Sequence, residues 1–397
     1  MIPHQRSQHF LDPLTLASAL LVGLVFGIGI LPAHAQTLDV LYNFPSPGGP
    51  TSPLVWDAHG NLYGTAGGGV YHFGSVFKLA PDGTESTLYS FHGGGDGNIP
   101  TGLILGSDGN FYGTTLAGGN PPYEGYGTVF KLTPEGTETV LYTFKGGADG
   151  NSPMAGVVRD AKGNLYGTTY YGGSEQCGSC GVVFKVAPDG TETVLHTFTG
   201  APNDGAWSIA GLTLDSSGNL YGTTNYGGAH DWGTLFKVAP DSTETVLYSF
   251  SGGNDGKNPA DTPILDSHGN LYGTTVPMLF PTSTYGTVYK LVPATSTLST
   301  LHTFFNPSNG AYPYGPLALD KNGDLFGTTF VSGSCQTYHG TVFEITARGR
   351  FKTLQFFVRA VGDNPRQGVI LDEQGNLYGT TSSDGADRSG TVFKLTP

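Results

Sequence analysis

Three carboxylates occupy positions that could support acid–base chemistry. Glu124 lies within Pro-Tyr-Glu-Gly-Tyr at 122–126, Asp231 within His230-Asp231-Trp232, and Asp387 beside Arg388. Cleaving a glycosidic bond takes two carboxyl groups about 5–10 Å apart, one giving and one accepting a proton. Around them stand side chains suited to a sugar or a peptide: Tyr123, Tyr126, Trp207, His230, Trp232, Tyr312, His339 and Arg388. Rings offer flat apolar area, and polar groups fix orientation. The competing reading is that these rings plug their own loops. The chain has no Gly-x-Ser-x-Gly, no phosphate loop and no His-Glu-x-x-His. Nothing in the spacing unites Glu124, Asp231 and Asp387 unless the chain closes into a ring around an axis. Binding is therefore the leading expectation and catalysis the alternative.

A second set of acids recurs in Gly-Gly-x-Asp-Gly turns: Asp96, Asp149, Asp204, Asp255 and Asp363. A ring of such carboxylates could attract Ca²⁺, but Ca²⁺ wants six to eight oxygens and each loop supplies one carboxylate. Use in backbone turns is expected, with no cofactor and Ca²⁺ as the alternative. Cys177-Gly-Ser-Cys180 suggests a local disulfide pinning a loop of an exported protein rather than a redox pair, which would need a strand-to-helix setting. Cys335 would then be the one free thiol.

The elements that hold these residues follow from a repeat. A Gly-Asn-Leu-Tyr-Gly-Thr motif begins at Gly60, Gly109, Gly163, Gly218, Gly269, Gly323 and Gly375, with gaps of 49, 54, 55, 51, 54 and 52 residues. That period points to propeller blades. In the second copy Gly102–Leu105, Asn110–Thr115, Thr128–Leu132 and Glu138–Phe144 read as four short strands joined by Asp-Gly and Pro-Glu-Gly turns. The chain opens on a fourth strand, Leu38–Phe44, and stops on a third, Thr391–Leu395. The expectation is an all-β, seven-bladed β-propeller with four antiparallel strands per blade, its ring closed by the N-terminal strand joining the last blade. Residues shared by all blades, such as Tyr63 and Gly64, read as packing; the Lys at 78, 131, 185, 237, 290 and 394 read as solvated side chains lying over aromatics. Asp57 and its equivalents read as turn formers. Function is expected on the face carrying the long second-to-third-strand and inter-blade loops.

The motifs Gly-Asn-Leu-Tyr-Gly-Thr-Thr, Gly-Thr-Val-Phe-Lys-Leu and Asp-Gly-Thr-Glu-Thr-Val-Leu (189–195) resemble the Gloeobacter–Verrucomicrobia (GloVer) tandem repeat of exported bacterial proteins. The resemblance covers essentially the whole chain after residue 35. It implies export and repeat architecture, and no established activity.

Residues 1–35 read as a secretory signal: Arg6, an apolar run from Leu14 to about Leu31, then Ala33-His34-Ala35. This leaves 36–397 as a single propeller domain, without a membrane span, secreted, periplasmic or on the cell surface. The formal charge of −13, with 18 Lys and Arg against 31 Asp and Glu, disfavours nucleic acid. The partners expected are a polysaccharide or a cell-surface protein, met by a monomer.

Overall fold

The computed structural model describes residues 36–45, 47–120, 125–173, 177–277, 284–332 and 339–397. The expected signal segment lies outside these residues, as do Tyr123, Glu124 and Cys335. Residues Gln36–Pro397 form one compact unit. No helix among the described residues is long and apolar enough to cross a membrane.

The unit is a seven-bladed β-propeller of four-stranded antiparallel sheets. The first blade comprises Val55–Trp56, Leu62–Ala66, Ser75–Leu79 and Glu85–Ser90, and the following blades repeat this order. The last blade takes Val369–Leu371, Leu377–Thr381 and Thr391–Thr396 from the C-terminal end and Thr37–Asn43 from the N-terminal end. Leu38 pairs with Leu395 and Val40 with Phe393, so the ring closes by strand pairing as expected. First strands of adjacent blades touch, as Val158–Arg159 does Thr213–Leu214, and surround the axis.

Each recurring residue has a physical task. The phenylalanine placed at the end of the fourth strand lies one residue beyond it; Phe91 N–H donates to the Gly74 carbonyl at 2.9 Å. Its ring crosses to the third-strand ring of the next blade. Centroids are 5.0 Å apart for Phe44–Phe77, 5.2 Å for Phe91–Phe130, 5.1 Å for Phe144–Phe184 and Phe198–Phe236, and 5.2 Å for Phe250–Tyr289. Phe304–Phe343 at 5.6 Å and Phe357–Phe393 at 5.0 Å complete the circle. Edge-on aromatic pairs add ~0.5–1.5 kcal/mol each beyond buried area, so seven of them seal the blade interfaces.

The glycine of Leu-Tyr-Gly-Thr admits this ring, and at Gly113 and Gly379 a backbone carbonyl as well. A methyl at Gly64 would lie 2.8 Å from Phe77, and at Gly167 2.6 Å from Phe184. The following threonines pair across the second and third strands, as in Thr115–Thr128 at 2.9 Å and Thr224–Thr234 at 2.7 Å, burying hydroxyls that satisfy each other.

Asp57 does more than turn the chain. Its Oδ1 accepts from the His59 and Asn61 amides, and its Oδ2 from Asn61 Nδ2 and the Tyr63 hydroxyl at 3.0 Å. Partial burial pushes the Asp57 carboxyl up, but those hydrogen bonds outweigh it and hold the carboxyl below its ordinary value. Lys78 lies over the Tyr63 ring, as Lys290 does over Tyr272 and Lys394 over Tyr378.

Candidate functional site

The two faces differ in kind. On one, tight Asp-x-x-Gly and Pro-Asp-Gly turns repeat from blade to blade. The other carries the long loops and a backbone device repeated six times. Ile99, Ser152, Trp207, Asn258, Tyr312 and Asn364 all hold φ between 55° and 58°, the left-handed region. For a side-chain-bearing residue this costs ~1 kcal/mol, and five of the six precede proline. The conformation persists because the amide is caught by the adjacent long loop: Ile99 N–H donates to Phe73 O at 2.9 Å, Ser152 to Tyr126 O at 2.8 Å and Trp207 to Cys180 O at 2.9 Å. The backbone is constant here while the side chains vary.

Two residues further on, each blade sends one side chain to the axis: Thr51, Thr101, Met154, Ile209, Ala260, Tyr314 and Arg366. They line a cup of about 180 Å³. Arg366 is exposed, with its guanidinium 4.2 Å from the Phe330 ring centroid and 5.3 Å from that of Tyr314.

All nine exposed large hydrophobic side chains among the described residues belong to the long-loop side. Val70, Tyr71, Tyr126 and Tyr171 lie in second-to-third-strand loops. Met154, Phe305 and Val358 lie in inter-blade segments, Ile99 is near the start of the first strand Asn98–Leu105, and Phe356 ends a fourth strand. Larger grooves of about 830 and 810 Å³ open on the tight-turn face between blades. Their linings are largely repeat residues such as Asp57, Tyr378 and Lys394, or Asp266, Tyr272 and Lys290, so they record blade spacing more than a singular site.

The sequence-predicted residues fall into several environments. Tyr126 and Trp232 pack on the glycines of their inter-blade turns; a methyl at Gly146 or Gly252 would meet them at 2.5 or 2.8 Å. Phe73 covers Gly93 in the same way, and Cys177 and Cys180, joined as a disulfide, stand over Gly200. These rings and the disulfide are equivalent plugs, although Tyr126 remains 43% exposed. Trp232 is also stacked by Lys257 at 4.4 Å. Trp207 donates from Nε1 to Ser179 O at 3.2 Å and meets Tyr226 edge-on. Tyr312 is core, buried with Ala260, Val276 and Val331. His230 and Arg388 are exposed. His339 holds Asp363 through Nδ1 at 3.0 Å.

Of the three carboxylates considered for catalysis, Glu124 lies outside the described residues. Asp231 accepts the Gly227 amide within its own turn at 2.9 Å. Asp387 follows Ala386, whose amide donates to Asn43 Oδ1 on the outermost strand at 2.9 Å, and so sits toward the rim. Neither lines the axial cup.

The recurring turn acids serve their own loops. Asp149 accepts from the Tyr142 hydroxyl at 2.8 Å and from the Lys145 and Gly147 amides. Asp96 and Asp255 repeat this with Tyr89 and Tyr248, while Asp204 pairs with His196 Nε2 at 3.1 Å. Two groups have the donors and proximity to take a metal ion: His196, Asp204 and Glu244, and His339, Asp363 and Asp384, each with ligand atoms within 4.8 Å. Asp204 is saturated by Thr199 and Gly205 amides, and Asp384 lies 3.7 Å from Arg359.

The acid that does reach the axis is Asp261. It is 2% exposed, lines the cup, and receives the Thr274 amide at 3.1 Å on both oxygens. Burial pushes its carboxyl well above the ordinary range, outweighing those bonds. Tyr289, in the same blade, replaces the phenylalanine of the other six, and its buried hydroxyl has no hydrogen-bond partner. The signal was present in the sequence as two singular residues in one blade. It was hidden because Asp261 stands in a loop whose equivalents are Ser52, Gly102, Ala155, Ala210, Gly315 and Gln367.

A uniform closed ring with a variable loop face defines a β-propeller of the repeat type. More particularly, the chain belongs to the Gloeobacter/Verrucomicrobia repeat family, whose pattern matches residues 22–180 and 178–393. No curated protein sequence matches it. Solved structures share the fold at low identity. One is an extracellular domain assigned to a hybrid two component system of B. thetaiotaomicron, at 13% identity and TM-score 0.55; the match covers 91% of this chain and 41% of that one. Another is an oligogalacturonate lyase from Vibrio parahaemolyticus, at 12% identity and TM-score 0.56, with 90% and 93% covered. An oligogalacturonate lyase in complex with manganese matches at 11% identity and TM-score 0.56, with 91% and 96% covered.

Proposed function

We propose that this protein is an exported propeller that acts as a binding scaffold, holding a polysaccharide or a cell-surface protein on its long-loop face. The observation that carries the reading is the confinement of all nine exposed large hydrophobic side chains among the described residues to that side of the molecule. Apolar side chains gathered on one face of a polar surface are what a binding partner covers. A rigid ring with variable side chains on fixed backbone positions is also how loop-borne recognition is usually built. The net charge of −13 argues against nucleic acid as the partner. Export is supported by the signal-like residues 1–35 and by the setting of one structural neighbour, an extracellular domain.

A secreted hydrolase or lyase is the second reading. It is favoured by Asp261, a carboxyl at the axial cup that burial pushes well above its ordinary range, the direction a proton donor needs. Another neighbour is a lyase by name, but a propeller fold does not select a chemistry. Incubating the purified chain with plant and bacterial polysaccharides separates the two. Retention on a polymer without soluble oligosaccharide supports the scaffold; released oligosaccharide, abolished by Asp261→Asn, would replace it with the enzyme.

A further inference from the structure

The axial cup differs from the rest of the molecule in being singular. Its seven contributing positions are equivalent in the repeat, yet only one of them is charged, and that one is Arg366. Elsewhere Arg159 pairs with Asp108 at 3.1 Å and Arg359 lies 3.7 Å from Asp384. Arg366 has no carboxylate within ion-pair distance among the described residues, in a chain whose acids outnumber its bases by thirteen. Its guanidinium is nonetheless positioned, packed against Phe330 and Tyr314, so little side-chain freedom remains to be lost on binding.

We propose that the cup is a binding site for one carboxylate-bearing sugar unit, a uronic acid, with Arg366 as its charge partner. The proposal rests on the polysaccharide side of the reading above and names its chemistry. A guanidinium offers a planar fork that matches a carboxylate with two parallel hydrogen bonds. Met154, Ile209 and the Tyr314 ring give the apolar wall against which the ring's C–H face packs. Gln367, beside Arg366 in the lining, supplies an amide for hydroxyls. About 180 Å³ equals roughly six waters, room for one sugar ring and not for a chain lying across the axis. Burial pushes the Asp261 carboxyl well above its ordinary range, the direction that lessens repulsion of an anion in the cup.

The test is titration of the chain with glucuronate and galacturonate, and separately with glucose, galactose and an N-acetylated acidic dipeptide, followed by calorimetry or ligand-observed NMR. The uronates should bind, the neutral sugars at least ten-fold more weakly. Arg366→Gln should reduce uronate binding at least ten-fold while leaving the melting temperature unchanged. Arg348→Gln, on the tight-turn face, should leave uronate binding intact. Equal binding of neutral and acidic sugars, uronate binding that survives Arg366→Gln, no uronate binding, or binding of the dipeptide in preference would each overturn the proposal. Retention of the chain on a polymer that free uronate does not compete would overturn this site while leaving the scaffold reading in place; loss of all retention would remove both.

Discussion

Glu138 allows a sharp check on how the blades meet. Its Oε1 is buried and has no hydrogen-bond partner, and its neighbour across the blade interface is the Asp96 carboxylate. Burial first, and Asp96 second, push its pKa from 4.5 up to about 7. The sign follows directly. A carboxyl that holds its proton more tightly folded than unfolded adds stability below about pH 4.5 and loses it as pH rises through 7. The full shift would correspond to about 3 kcal/mol between the acid and alkaline limits. Glu138 keeps contact with water, and screening reduces this to about 1 kcal/mol. Glu138→Gln keeps the shape and removes the charge. Thermal melts of wild type and variant between pH 5 and 9 should differ little at pH 5, and the variant should melt about 2 °C higher at pH 8. A difference that does not change with pH, or a variant less stable at pH 8 than at pH 5 relative to wild type, would refute the reasoning.

Other consequences are equally open to measurement. Gly222→Ala should cost about 1–3 kcal/mol in denaturant unfolding, because the methyl would fall 2.5 Å from Phe236 and 2.7 Å from Leu212. Gly94→Ala, where a methyl meets nothing within 4 Å, should stay near wild type. Tyr289→Phe restores the residue of the other six blades and removes a buried hydroxyl without a partner. It should stabilise by up to about 1 kcal/mol, and a loss of that size in chemical denaturation would contradict the assignment of that hydroxyl. Melting in excess chelator should match melting in buffer, since the turn acids are held by their own loops; a drop of several degrees would instead place a cation there.

Most of the scaffold was legible because it is written seven times. The fifty-residue period, the four-strand unit and the closure by Thr37–Asn43 all follow from comparing copies within one chain. What the copies could not convey is which atoms meet. Gly64 read simply as packing and is the seat of a ring from its own blade. Asp57 looked like a turn former and also anchors the Tyr63 hydroxyl. The candidate site was legible only in part. Looking for aromatics in the long loops found Tyr126 and Trp232, which cover glycines, and Tyr312, which is core. It passed over Met154 and Asp261, because their placement around the axis depends on a left-handed residue before proline that no composition or period reveals. The nine exposed hydrophobics share a face only after the ring has closed.

The central claim is that the long-loop face is where this propeller meets its partner. Hydrogen exchange of the chain, free and bound to a polysaccharide that retains it, tests this most directly. Slowed exchange should concentrate in the inter-blade segments, residues 92–101, 145–154, 199–209, 305–314 and 357–366, with the tight turns at 57–61, 160–164 and 266–270 unchanged. Slowing at those tight turns, with the inter-blade segments unaffected, would place the binding surface on the opposite face and contradict the account.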